Sequence, residues 1–182
     1  MTFETLASQG NHNNYGSMAA NIGTRVHEIR NEFIKDCFSD FRKKEHRLEY
    51  VANVHGIEFI NDSKSTNINS TWFSLECMHK PVIWIAGSIE KGTDVEMLKA
   101  LVQKKVKGII WFGKEKQYLK SFFLELGIPV THTESLKEAV EIAYYAGKKG
   151  DVVLLSPACP SFDLFSDYEE RGQEFKKFVH TL

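Results

Sequence analysis

No stretch of these 182 residues is apolar over the length needed to cross a bilayer, and the opening MTFETLASQG carries no signal-peptide pattern. Net charge is nearly absent as well. With 23 Lys and Arg against 24 Asp and Glu the formal charge is -1, which gives no electrostatic reason to expect nucleic acid or an anionic membrane as a partner. Cysteine is scarce: Cys37, Cys77 and Cys159 are odd in number, far apart and in no metal-binding spacing. A reduced, cytoplasmic protein is the expectation, with each cysteine a small buried apolar group. The chain has no internal repeat and no low-complexity segment. It also lacks the nucleophile-elbow Gly-x-Ser-x-Gly, the zinc patterns and the Rossmann Gly-x-Gly-x-x-Gly. Gly87 to Thr93, GSIEKGT, is superficially like a phosphate-binding loop, but Lys91 precedes Gly92 where that motif needs glycine before lysine. A phosphate-cradling loop is therefore absent from the 182 residues.

What is present is ordinary globular material, 42% hydrophobic and 26% charged, enough for one sizeable core with a small appendage. Residues 1 to 16 are polar and Asn-rich. From Ser17, Ile22, Val26, Ile29, Phe33, Cys37 and Phe41 recur at helical spacing, and the charged FRKKE that follows places a boundary near residue 45. Leu48 to Val54 and Ile57 to Ile60 read as strands joined by a hairpin turn at Asn53 to Gly56. A polar loop comes next, then a helix through Trp72, Phe73, Leu75 and Met78, with Ser70 or Thr71 as its cap. PVIWIAG (81 to 87), GIIWFG (108 to 113) and VVLLS (152 to 156) are continuous apolar runs of the kind buried on both faces of a sheet. Between them lie helices expected through Val95, Leu98 and Leu101 or Val102, and through Tyr118, Leu119, Phe122 and Leu126. Ile128 to Val130 reads as a short strand. Ser135 with Glu138 has capping-box spacing ahead of Ala139, Ala143 and Tyr144, and Ser166 with Glu169 repeats it ahead of Tyr168, Phe175, Phe178 and Val179.

Alternating strands and helices predict an α/β fold, a Rossmann-like, mostly parallel sheet with helices on both faces, preceded by a helical segment. In such a sheet the strand exits after Ile60, Ala86 and Leu155 converge on one edge, where ligands bind. Asp62, Lys64, Thr66, Asn67, Lys91 and Ser161 then surround one crevice, and two lysines with several hydroxyls fit a small carboxylate or phosphate. Plainer readings stand beside this one. Residues Asn61 to Thr71 could be a well-capped surface turn, Lys64 and Asp62 a solvated ion pair, Arg47 a strand-edge charge, Ser161 a cap, and Phe162 and Tyr168 core packing.

Five ordered segments narrow the choice. EHRLE (45 to 49), INDSKSTN (60 to 67), GSIEKGTD (87 to 94), LLSPACPSFDLF (154 to 165) and FSDYEERGQEF (165 to 175) occur in the order and spacing of the bacterial Mur ligases, and closest to those members that add D-glutamate to UDP-N-acetylmuramoyl-L-alanine. The resemblance covers residues 46 to 182 as the C-terminal domain. Residues 1 to 45, with His12-Asn13, resemble the end of the central ATP-binding domain. It implies an ATP-dependent amide-forming ligase of peptidoglycan and cell-wall biosynthesis, using ATP and Mg2+ and passing through an acyl phosphate. Such chemistry needs a phosphate cradle, cations against developing charge and a pocket that orients the amine. The resemblance further implies that Arg47 contacts phosphate and Asp62 ribose. Lys64 and Lys91 would be the catalytic cations, with Thr66 and Lys91 holding one carboxylate of D-glutamate. Ser161 and the backbone at Tyr168 would hold the other, with Phe162 lining the pocket. The magnesium site and most contacts to the UDP-sugar would lie in domains outside these residues, so the chain alone is expected to be inactive. There are departures from the family pattern. Ser88 stands where Gly-Gly is usual, Ser65 where alanine is usual, and Gly16 where an asparagine near adenine is expected. A non-catalytic module for a small dicarboxylate or nucleotide, or a folylpolyglutamate-type ligase domain, are the alternatives.

Overall fold

The computed structural model describes residues 45 to 89 and 94 to 182, all within the unit Phe41–Leu182. The expected helix before residue 45 and the expected site residue Lys91 lie outside the described residues.

The described residues open with strands β1 (Glu49–Val54) and β2 (Ile57–Asn61), paired antiparallel. The turn between them puts both His55 (φ 50) and Gly56 (φ 87) in the left-handed region, the two-residue geometry whose twist matches a hairpin. Asn53 Oδ1 accepts the Gly56 N–H at 2.9 Å to close it. Then follow α1 (Ile68–Glu76), β3 (Val82–Ala86), a 3-10 turn (Val95–Leu98) running into α2 (Lys99–Lys105), and β4 (Val106–Phe112). The chain finishes with α3 (Gln117–Glu125), β5 (Val130–Thr133), α4 (Leu136–Ala146), β6 (Val152–Leu155) and α5 (Tyr168–Val179). The six strands lie in the order β1-β2-β6-β3-β4-β5, and every ladder except β1 with β2 is parallel.

The apolar runs behave as continuous burial predicts, because successive side chains feed opposite faces. Val82, Trp84 and Ala86 of β3, Ile109 and Trp111 of β4, and Val152 and Leu154 of β6 share one core with α1, α2 and α3. Ile83, Ile85, Ile110, Phe112, Val153 and Leu155 join Ala139, Val140, Phe175 and Val179 of α4 and α5 in the other. Helices therefore cover both faces, as expected.

Several local expectations are corrected. Asn67, not Ser70 or Thr71, caps α1: its Oδ1 accepts the Ser70 N–H at 2.9 Å. The carboxamide reaches the first turn from an extended backbone, whereas Ser70 and Thr71 already lie inside the helix. Met78 is buried but beyond the end of α1. The short strand begins at Val130, after Pro129 rather than across it. Ser135 caps α4 through its hydroxyl to Glu138 N–H at 3.2 Å. The carboxylate of Glu138 instead accepts from the Thr133 hydroxyl, and Thr133 accepts the Ser135 N–H. At α5 the cap is Asp167, whose Oδ1 accepts both the Glu169 and Glu170 N–H at 2.8 Å, while Glu170 reaches back to the Ser166 N–H.

Candidate functional site

The exits of β2, β3 and β6 do converge, and they are stitched to one another. Asp62 N–H donates to Leu155 O at 2.8 Å, Ala158 N–H to Ser65 O at 3.0 Å, and Gly87 N–H to Pro157 O at 2.9 Å. The β3 and β6 exits pack so closely that a Cβ on Gly87 would stand 2.4 Å from Cys159 Sγ. Ser88, at the departure from Gly-Gly, turns its hydroxyl to Lys114 O at 2.9 Å. Tyr118 and Lys116 hold the Ile89 carbonyl from the start of α3.

Asp62 is 1% exposed. Its Oδ2 accepts from Ser156 Oγ at 2.8 Å and its Oδ1 from Leu48 N–H at 3.3 Å. Burial pushes its carboxyl up to about 6, against the opposing pull of the Ser65, Ser74 and Ser156 hydroxyls and the Leu48 amide. Ser65, at the departure from alanine, thus adds a hydroxyl to this carboxylate. Because the folded-state pKa lies above the unfolded one, folding favours the protonated form. Its contribution to stability is complete below pH 3.8 and is lost as pH rises through about 6. Asp62→Asn keeps an oxygen for Leu48 and can donate to Ser156 Oγ. It should therefore gain on the order of 2–3 kcal/mol relative to the parent at pH 8 and about half as much at pH 5. Urea unfolding at the two pH values reads this difference, and an equal effect at both would refute the buried titration.

His46 is 3% exposed. Asn61 Nδ2 lies 3.0 Å from His46 Nδ1. Asn61 Oδ1 accepts the Ser63 N–H, so its amide nitrogen faces His46, Glu49 Oε2 and the Gly172 carbonyl. That orientation makes Nδ1 the acceptor and puts the histidine proton on Nε2. Burial, then the Lys176 charge, lowers the His46 pKa, while Glu45, Glu49 and Glu169 oppose them. The ring is neutral at pH 7. Gly172 makes room for it: a Cβ there would fall 2.1 Å from Nδ1.

Sequence reasoning missed Arg171. It is 1% exposed, yet lies on the inward face of α5 with Phe175 and Val179. Its Nε donates to Ser63 Oγ (3.0 Å), Nη2 to Ser63 O (2.8 Å), and Nη1 to Cys159 O (3.1 Å) and Pro160 O (3.2 Å). Ser63 Oγ in turn donates to Tyr168 O at 2.7 Å. One guanidinium so ties the β2 exit to the β6 exit and to the start of α5. Burial lowers the Arg171 pKa, but a guanidinium stays charged in a protein. The available signal was spacing: Tyr168, Arg171, Phe175 and Val179 put an arginine in the apolar stripe.

The expected site residues fall as follows. Arg47 is exposed, one residue from the Leu48 amide that Asp62 holds. Lys64 Nζ stands 5.4 Å from the centroid of the Tyr168 ring, which also meets the His46 ring edge to face. Ser161 is 2% exposed, next to the Pro160 carbonyl that Arg171 holds, and accepts the Phe165 N–H at 2.9 Å. Thr66 is half-buried beside Lys64, and Phe162 is 78% exposed. The edge therefore carries Arg47 just before β1 and Lys64 at the β2 exit, an aromatic ring beside Lys64, and a pair of loops locked from behind by Arg171. Among the described residues, no group of three or more His, Cys, Asp or Glu side chains comes together that could hold a metal ion.

Comparison with known proteins is consistent with this geometry. Residues 46–159 match the model of the Mur ligase glutamate ligase domain. A UDP-N-acetylmuramoylalanine–D-glutamate ligase of Bacteroides fragilis is 47% identical over 183 residues, spanning all of this chain and 41% of that protein. The chain thus spans about two fifths of the length of the curated relatives it matches. The crystal structure of a Thermotoga maritima UDP-N-acetylmuramate–alanine ligase shares the fold at TM-score 0.54 and 13% identity, over 78% of this chain and 31% of that one. A Yersinia pestis folylpolyglutamate synthase/dihydrofolate synthase, solved with AMPPNP and a manganese ion, does so at TM-score 0.51 and 12% identity, over 75% of this chain and 32% of that one.

Proposed function

The chain belongs to the Mur ligase family through its glutamate ligase domain, and from that premise we propose that it serves an ATP-dependent ligase adding D-glutamate to UDP-N-acetylmuramoyl-L-alanine in peptidoglycan biosynthesis. The observation that carries the reading is identity of 47% along the whole chain to a ligase of that name. The convergence of the three strand exits supports it, because an amide-forming ligase must gather nucleotide, acyl group and amine at one place.

In this reading Arg47 faces the nucleotide phosphates from the exposed turn before β1, and Asp62 belongs to the same nucleotide half. Lys64 lies near the nucleotide and the acyl group, where a cation stabilises charge developing on transfer. Thr66 and Lys91 hold one carboxylate of D-glutamate. Ser161 and the backbone around Tyr168 hold the other, and the exposed ring of Phe162 closes against the substrate. Magnesium accompanies the nucleotide, its site lying largely outside these residues.

The test requires the protein joined to the domains that its relatives place before this one. Phosphate release should depend on ATP, D-glutamate and the UDP-precursor together. Lys91→Ala should raise the D-glutamate KM roughly tenfold to a hundredfold, since a charge-assisted hydrogen bond to a carboxylate contributes about 1.5–3 kcal/mol. Lys91→Arg should rescue only in part, because a planar fork replaces a point charge. Unchanged D-glutamate kinetics in Lys91→Ala would remove that residue, and the pocket built on it, from the proposal.

A further inference from the structure

The acceptors of the Arg171 guanidinium stand beside residues of the proposed D-glutamate pocket. Its Nη1 donates to the carbonyls of Cys159 and Pro160 at 3.1 and 3.2 Å, the two residues before Ser161. Its Nε and Nη2 donate to the hydroxyl and carbonyl of Ser63 at 3.0 and 2.8 Å, and that hydroxyl donates in turn to Tyr168 O at 2.7 Å. Ser161 and Tyr168 are thus joined through one planar cation and one hydroxyl. The β6 exit needs the hold. Ala158 takes φ 59, a left-handed conformation that a residue with a Cβ keeps only where its surroundings over-determine it. From Ser161 the restraint runs on into the next turn, since its carbonyl accepts the Leu164 and Phe165 N–H at 3.2 and 2.9 Å. At the start of α5, Asp167 caps the amides of Glu169 and Glu170 rather than that of Tyr168. Ser63 and Arg171 are themselves buried, with their polar atoms turned to protein partners.

We infer that Arg171 and Ser63 are positioning residues for D-glutamate, setting the spacing of Ser161 and the Tyr168 backbone between which a substrate carboxylate is held. The inference rests on the pocket proposed above. It extends that pocket to two buried side chains that act through the loop after β6 and the first residue of α5. A carboxylate gripped from two sides is sensitive to this spacing, because a hydrogen bond weakens steeply once its geometry is lost.

Ser63→Ala is the mild test. It removes one hydroxyl and leaves the backbone bonds of residue 63 to Asn61 Oδ1 and Arg171 Nη2, so Lys64 stays in place. In the protein joined to its preceding domains, the D-glutamate KM should rise about threefold to tenfold, the effect of one weakened hydrogen bond, with the ATP KM within about twofold of the parent. A merely structural loss would instead lower kcat with the folded fraction and leave the D-glutamate KM alone. Arg171→Lys, whose ammonium cannot reach both exits in one plane, should raise the D-glutamate KM further. Where that variant is too unstable to assay, Ser63→Ala decides. In Ser63→Ala with Ser161→Ala, the rise should fall short of the product of the two single rises, because both changes weaken the same contact. A parent-like D-glutamate KM in Ser63→Ala or Arg171→Lys, an equal rise in the ATP KM, or multiplicative effects in the pair would overturn the positioning role. An unchanged D-glutamate KM in Ser161→Ala would instead overturn the pocket reading on which the inference rests.

Discussion

Arg171→Leu should destabilise the protein by about 3–5 kcal/mol, the largest effect expected of any one substitution at this edge. The loss has two parts, and one gain opposes them. The carbonyls of Ser63, Cys159 and Pro160 and the hydroxyl of Ser63 all lose their donor, and each buried polar group left unsatisfied costs about 1–3 kcal/mol. Leucine also leaves part of the guanidinium's volume unfilled. Against these stands relief from burying a charge, which keeps the sum below the simple total. Arg171→Lys should fall between, because an ammonium cannot reach both exits in one plane. Chemical denaturation of the 182-residue chain measures the loss. A change under about 1 kcal/mol would mean that the exits are held by their backbone contacts alone and that Arg171 is incidental to them.

Gly172→Ala should destabilise by about 2–3 kcal/mol, against the usual direction for such a change within a helix. Alanine ordinarily stabilises a helix interior by about 1 kcal/mol relative to glycine. Here its Cβ would fall 2.1 Å from His46 Nδ1, and the ring is wedged between α5, Asn61 and the Tyr168 ring. His46 must move or α5 must lift off β2, and either disturbs the turn that carries Arg47. His46→Ala added to Gly172→Ala should restore part of the loss by removing the clash. A stabilised Gly172→Ala, or additive losses in the pair, would show that the ring has room elsewhere. Crystals of the variant would show where it goes.

The strands were legible because continuous apolar runs have few alternatives once turn residues bound them, and β3, β4 and β6 fall on the runs that contain Trp84, Trp111 and Val153. Convergence of their exits followed from parallel pairing. The helix caps were harder to read. Ser70 and Thr71 compete with Asn67 for the same role, and Ser166 with Asp167, and only the backbone shows which side chain stands outside the first turn. Arg171 was overlooked because a charged residue in an apolar stripe is invisible to a pattern that counts apolar positions. The burial of Asp62 was not legible, because an Asp in a polar loop is ordinarily solvated. Its burial depends on Ser156 and Leu48, which come from 94 residues after it and 14 before it.

The place of β6 in the sheet has a consequence for how the protein is made. It is the last strand in sequence, yet it lies between β2 and β3, which pair with it and not with each other. A nascent chain that has emerged only through β5 can therefore form two separate pieces, the β1–β2 hairpin and the β3–β4–β5 ribbon, with no ladder between them. Each piece leaves an unpaired edge facing the gap, the kind of edge that recruits wrong partners while it waits. When Val152 to Leu155 slide in, both edges are sealed together. Arg171 then follows from the last helix to tie the β6 exit to that of β2. A ribosome stalled before residue 152 would thus hold a chain with most of its strands and none of its assembled edge.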